Sequence, residues 1–179
     1  MELNLDLPGA LPLTAEEFVA VPVVEGVRME LEEGNLVVMA SAQMAWHSLT
    51  AQRIANWFNE REAVVALRKV GVVVGPRSVP APDVTVFRKP ITELRRSQFP
   101  AADVRCVVEV VSPESTRRDG VIKPLMYAAA GIPEFWLVEE HPEVHTDAVI
   151  QQHRLTRTAT GALYVVEQTI TLSELEESQ

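Results

Sequence analysis

Cys106-Val107-Val108-Glu109-Val110-Val111 is the stretch that decides the fold. Valines on both sides of the acid predict a strand buried on both faces, as in a sheet with helices above and below it. A glutamate in that setting is almost never fully buried without a partner. Either an internal ion pair with an arginine or lysine, or a bound cation, compensates it. To the N-terminal side, Ala81-Pro82-Asp83-Val84-Thr85-Val86 is a second short apolar strand. Pro82 cannot donate to a central ladder, so Asp83 is expected at the first position of that strand, at a sheet rim. An isolated Pro-Asp pair is also read as a turn cap. Two such carboxylates on neighbouring strands form a hard oxygen site of the kind Mg²⁺ prefers.

To the C-terminal side, Ser115 to Ala130 reads as a helix stopped by Gly131, with Pro133 just beyond. Asp119 and Lys123 stand four apart on it, and Tyr127 is one step further along the same face. Such a pair is ordinarily a surface ion pair worth a few tenths of a kcal/mol. Here only Ser112-Pro113-Glu114-Ser115-Thr116 separates the helix from the Glu109 strand, which tethers its start close to Glu109. Two acids and a lysine around one metal is the chemistry of phosphodiester hydrolysis. His47 is a candidate base, a substrate contact or a plain helix-face residue, and His141, His145 and His153 have no spacing that would assemble a metal site with it. There is no phosphate-cradling glycine-rich loop, no Gly-x-Ser-x-Gly elbow and no cysteine nucleophile with a positioned base.

The other elements fit a sheet flanked by helices. Thr14-Ala15-Glu16-Glu17-Phe18 opens with a capping-type threonine and predicts a short helix. Arg28-Met29-Glu30-Leu31-Glu32 and Asn35-Leu36-Val37-Val38-Met39 flank the turn signal Glu33-Gly34. Ala45 to Arg61 has a helical apolar period, and Val64 to Leu67, Val70 to Val74, Val84 to Phe87, Val104 to Val111 and Phe135 to Val138 read as strands. Pro90 to Ala102 is polar, with a helical turn around Thr92 to Arg96. Ala148 to Arg154 and Ala162 to Gln168 alternate as half-exposed antiparallel strands do. No linker or internal repeat interrupts the 179 residues, so one α/β or α+β domain over 1–179 is expected.

The single cysteine, Cys106, rules out an internal disulfide framework and a cysteine-based zinc cluster, and its apolar run predicts an inert, buried thiol. The first residues, Met1 to Asp6, lack the basic start of a signal peptide, and no apolar segment is long enough to span a membrane. A soluble, cytoplasmic protein with no membrane partner is therefore expected. The formal net charge of -9 argues against a protein that coats nucleic acid. Arg88-Lys89, Arg95-Arg96 and Arg117-Arg118 fall near the candidate site in sequence, and are either a local basic rim or solvated surface.

Together these residues resemble the Uma2 family of endonucleases, within the PD-(D/E)xK superfamily. The likeness runs from Glu30-Leu31-Glu32-Glu33-Gly34 through His47, Pro82-Asp83-Val84 and Val108-Glu109-Val110-Val111-Ser112-Pro113. It continues through Asp119, Lys123, Tyr127 and Gly131-Ile132-Pro133-Glu134-Phe135-Trp136-Leu137-Val138. The resemblance implies a restriction-endonuclease-like core, a mixed sheet flanked by helices with a metal site at one end and extra antiparallel strands. It makes Asp83 and Glu109 the metal-binding acids, with Mg²⁺ or Mn²⁺, and Lys123 the catalytic lysine. Asp119, Tyr127 and His47 take supporting roles. It implies DNA as substrate and a homodimer. Two positions depart from the pattern: Val111 stands where the superfamily usually has its lysine, and Asn35 where many relatives have an acid. Those departures, with the negative charge, keep open a nuclease-fold binding or assembly module with little activity. An enzyme acting on another phosphate ester is also open.

Overall fold

The structure, a computed structural model, describes residues 7–22, 24, 26–40, 43–61, 64–112 and 115–178. The chain forms α1 (Ala15–Val19), β1 (Val27–Glu32), β2 (Asn35–Ala40), α2 (Ala45–Glu60), β3 (Val65–Leu67), β4 (Gly71–Val73), β5 (Val84–Phe87), β6 (Gln98–Pro100) and β7 (Val104–Val110). Then come α3 (Lys123–Ala129), β8 (Glu134–Glu140), β9 (Ala148–Thr158), β10 (Gly161–Thr171) and α4 (Leu172–Glu177). Six strands form one mixed sheet in the order β10-β9-β8-β7-β5-β3, and β1–β2 and β4–β6 are two small accessory sheets. The expected mixed sheet with flanking helices is therefore observed. No helix among the described residues is long and apolar enough to cross a membrane.

Local chemistry explains the elements. Thr14 and Glu17 close a capping box on α1. Glu33 and Gly34 both have positive φ, so β1 and β2 join through a tight turn whose twist suits a hairpin. A Cβ on Gly34 would lie 2.4 Å from Pro12 Cβ, so glycine there is required by close approach as well as by φ. The hairpin is docked by reciprocal Leu31–Val79 backbone bonds of 2.8 and 3.1 Å. β7 and β8 run parallel, which demands a long crossover, and the helical segment after β7 provides it. Gly131, at φ 77°, ends that helix.

Two local expectations are refined, and one helix is added. The helix predicted over Ser115 to Ala130 is not uniformly α-helical: Arg118–Ile122 is π-helical, and Lys123 N–H bonds the Arg118 carbonyl. Pro124 follows directly and has no N–H to donate, which favours such a local widening. The polar stretch 90–102 contains the short strand β6 and runs into a 3₁₀ turn, Ala101–Asp103, while the expected turn around Thr92 to Arg96 is closed by an Arg96 N–H to Glu93 carbonyl bond. Past β10, α4 is an additional helix, capped by Thr171 and Glu174.

The two faces of the central sheet pack differently. Val84 and Val86, Cys106, Val108 and Val110, and Trp136 and Val138 point to one side, against Ala51, Ile54, Ala55 and Phe58 of α2. Phe87, Val104, Val107 and Phe135 point to the other, against Tyr127 of α3 and Val72 and Phe99 of the small sheet. Strand alternation places Glu109 on this second face.

Candidate functional site

Val84 pairs with Val108 in antiparallel register, so Asp83, one residue earlier, stands beside Glu109 at the same end of the sheet. Both are buried: Asp83 is 2% exposed and Glu109 is fully inaccessible. The crossover brings the equally buried Lys123 over Glu109, its Nζ 2.9 Å from Glu109 Oε1 and 3.1 Å from Asp119 Oδ1. Tyr127 donates its hydroxyl to the same Glu109 oxygen at 2.5 Å. Asp83, Glu109, Asp119 and Lys123, with His47 of α2, line one cavity of about 640 Å³. Asp83, Glu109, Lys123, Asp119, Tyr127 and His47 are thus brought together at one place.

Asp83 is held at both oxygens. Its Oδ2 accepts the Val110 N–H at 2.9 Å and lies 3.2 Å from His47 Nε2. Its Oδ1 is 3.4 Å from both Arg28 Nη1 and Gln43 Nε2. Burial pushes the Asp83 carboxyl up, but the His47 bond and charge, Arg28 and the Val110 N–H outweigh it and hold its pKa at about 2. Glu109 goes the other way. Burial pushes it up, Lys123 pulls it back, Asp119 and Asp83 push again, and its pKa settles at about 8. Lys123 is moved down by burial and more strongly up by Glu109, Glu30 and Asp119, so its ammonium persists well above neutral pH.

Two charged groups of the site, Glu30 and Arg28, were not singled out in the sequence. Glu30, fully buried on β1, bonds Arg28 Nη2 at 2.5 Å, forms a very short pair with Arg118 and lies 3.6 Å from Lys123. Its carboxyl is pushed up by burial and held below its ordinary value by Lys123, Arg28 and Arg118. In sequence Glu30 is one of several acids in an amphipathic hairpin, and the only available signal is its alternation with Arg28 and Glu32 on one face. Arg118 also reaches Glu32 at 2.7 Å. Of the three basic pairs, Arg118 alone lines the cavity. Arg88 sits at the opposite end of β5 and β7, where its N–H bonds the Asp103 carbonyl and its Nε the Val104 carbonyl. Arg96 pairs with Glu93 on the same distant loop. Asn35 is exposed at the hairpin turn opposite Glu32 and does not line the cavity, whereas Val111 does.

Among the described residues, no three His, Cys, Asp or Glu side chains converge closely enough to hold an ion by themselves. Asp83 and Glu109 nevertheless offer hard oxygen donors at one wall of the cavity. Glu109 Oε2 is buried and has no hydrogen-bond partner among the described residues. A carboxyl so placed favours either a proton or a hard cation, and the donor set fits Mg²⁺ or Mn²⁺.

The sequence profile of the Uma2 family, described as "Putative restriction endonuclease", matches residues 15–177. The chain belongs to the Uma2 family. Four chains of solved structures match it. One is the crystal structure of a "putative nuclease belonging to DUF820" from Anabaena variabilis, 18% identical, with a TM-score of 0.63 over 93% of this chain and 98% of that one. That likeness shows the fold, and membership in Uma2 supports a nuclease at the level of the family. No curated protein matches the chain.

Proposed function

We propose that this protein is a metal-dependent DNA endonuclease that hydrolyses phosphodiester bonds, with Asp83 and Glu109 holding Mg²⁺ or Mn²⁺. The observation that carries the reading is the meeting of two buried carboxylates and one buried ammonium at a cavity of about 640 Å³. A structural ion pair has no need of a cavity beside it. Bound there, the ion supplies a lowered pKa for an attacking water and offsets charge growing on the phosphate.

The protein side chains then divide the remaining work. Lys123 stays protonated, so it acts as a cation that stabilises phosphate charge and orients the nucleophile, and not as the base. Asp119 and Tyr127 position Lys123 and Glu109. His47 and the Val110 N–H fix the Asp83 carboxylate. Arg118, its side chain 21% exposed, offers a cation to a backbone phosphate where the net charge of -9 would otherwise repel DNA. Cutting both strands of a duplex calls for two such sites, which supports a homodimer, checked by sedimentation.

Nicking of supercoiled plasmid with Mg²⁺ or Mn²⁺ tests the proposal, beside Asp83→Ala and Lys123→Ala. Wild type is expected to nick, with each variant slower by about a hundredfold to a thousandfold. Equal rates for all three proteins contradict the assigned site. No cutting with any metal turns the assignment to a nuclease-fold binding or assembly module, a reading favoured by the negative charge.

A further inference from the structure

Arg28 lies where a cation is wanted. Its side chain is 15% exposed and lines the cavity. Nη2 bonds Glu30 Oε1 at 2.5 Å and makes a very short contact with the Ala81 carbonyl, while Nη1 reaches Asp83 Oδ1 at 3.4 Å. Asp83 Oδ2 is already committed to Val110 N–H and His47. Oδ1 is therefore the Asp83 oxygen left for a cation, and Arg28 is on it with Gln43. A guanidinium and a divalent ion cannot use the same lone pairs.

Two features mark this contact as weakly held. Charge-assisted N–H···O bonds are ordinarily about 2.7–2.9 Å long, so the 3.4 Å Asp83 contact is a weak one, whereas the Glu30 tether is short. Arg28 Nε is also buried without a hydrogen-bond partner among the described residues. A guanidinium pivoting about Glu30 into the cavity loses little at Asp83 and can satisfy Nε.

Resting on the nuclease reading above, we propose that Arg28 is a placeholder cation: it holds Asp83 Oδ1 until a divalent ion takes that oxygen, then turns on its Glu30 tether to anchor a non-bridging oxygen of the substrate phosphate. The same residue thus competes with the metal and binds the substrate. That couples phosphate recognition to the loaded site.

Mn²⁺ binding followed by electron paramagnetic resonance, on wild type, Arg28→Gln and Arg28→Lys, tests the idea. Arg28→Gln is expected to bind Mn²⁺ about tenfold more tightly than wild type, the equivalent of one weak charge contact removed. Arg28→Lys, a point charge that cannot span Glu30 and Asp83 together, is expected to fall between. Plasmid KM should rise about tenfold in Arg28→Gln while metal affinity improves, a split that a merely structural arginine would not give. Unchanged, weaker or undetectable Mn²⁺ binding across the series overturns the proposal. Should Arg28→Gln not fold, the Arg28 Nε–H resonance of wild type, assigned by its loss in Arg28→Lys, decides. It must move on saturation with Mg²⁺, and a stationary signal overturns the proposal. Tightened binding with no nicking removes the nuclease reading alone, and nicking with unaltered affinity removes the Arg28 role alone.

Discussion

The two faces of the β5–β7–β8 sheet share one backbone and carry opposite chemistry. On the α2 face, Val84, Val108, Val110 and Trp136 meet Ala51, Ile54 and Phe58 in an apolar cluster, and only the first turns of α2 bring buried polar groups, His47 and Thr50. On the α3 face, Phe87, Val107 and Phe135 make an apolar floor that gives way at one end to Asp83, Glu109, Lys123, Asp119 and Glu30, all nearly or fully buried. Shifting one residue along a strand changes the face, so Val108 and Val110 stabilise by burial while Glu109 between them costs free energy. The second face tolerates that cost because four carboxylates meet three permanent cations, Arg28, Arg118 and Lys123, and burial raises the Glu109 carboxyl to about 8, which favours its neutral form. One face is therefore mainly packing, and the other combines packing with most of the charged groups.

The sharpest way to break that division is Asp83→Asn, which keeps the shape and removes the charge. Initial nicking rates should fall on the order of a thousandfold, about 4 kcal/mol of transition-state stabilisation. A variant that cuts at the wild-type rate would place the chemistry elsewhere. On the opposite face, Phe58→Ala removes a 3%-exposed ring packed at 4.8 Å from Trp136. Urea unfolding should show a loss of about 3–5 kcal/mol, with Mn²⁺ affinity unaltered. A change in metal affinity there would mean that the faces are not separate.

Glu109→Gln sharpens the comparison through pH. A carboxyl raised from 4.5 to about 8 in the folded protein binds its proton more tightly than in the unfolded chain. Its contribution to stability is thus complete below pH 4.5 and is lost as pH rises through 8. Glutamine mimics the protonated form. Between pH 5 and 9 the metal-free variant should gain about 2–4 kcal/mol on wild type in denaturant titrations, and parallel profiles would refute the shift. Asp83 acts in the opposite sense, since its stabilisation is present above pH 3.8 and lost as pH falls through about 2. The smallest effect is expected from Tyr127→Phe, which deletes the 2.5 Å hydroxyl bond to Glu109. A loss of about 1–2 kcal/mol in thermal unfolding is predicted, and a loss near zero would mean that solvent replaces the hydroxyl.

Much of the α2 face was legible in the sequence, because its valine runs and helical period are strong signals. Glu109 was legible for the same reason: its neighbours left it nowhere exposed to go. Lys123 was found by helical spacing, although the chain there is π-helical before Lys123, a detail foreshadowed only by Pro124. Glu30 and Arg28 were hidden because a polar residue on a two-stranded hairpin ordinarily faces water, and only tertiary docking through Leu31 and Val79 turns that face inward. For the basic pairs the choice between rim and solvated surface was not legible, because sequence proximity ignores strand direction, and β5 carries Arg88 away from Asp83. The capping pair Thr171 and Glu174 is the sequence signal for α4.

In the proposed mechanism Asp83 and Glu109 share one divalent ion. A crystal soaked in Mn²⁺ and measured at the manganese edge tests this most directly. An anomalous peak within about 2.5 Å of an oxygen of each carboxylate is predicted, with the Arg28 guanidinium displaced from Asp83 Oδ1. A peak elsewhere, or none in a protein that cuts DNA in the same buffer, would contradict it.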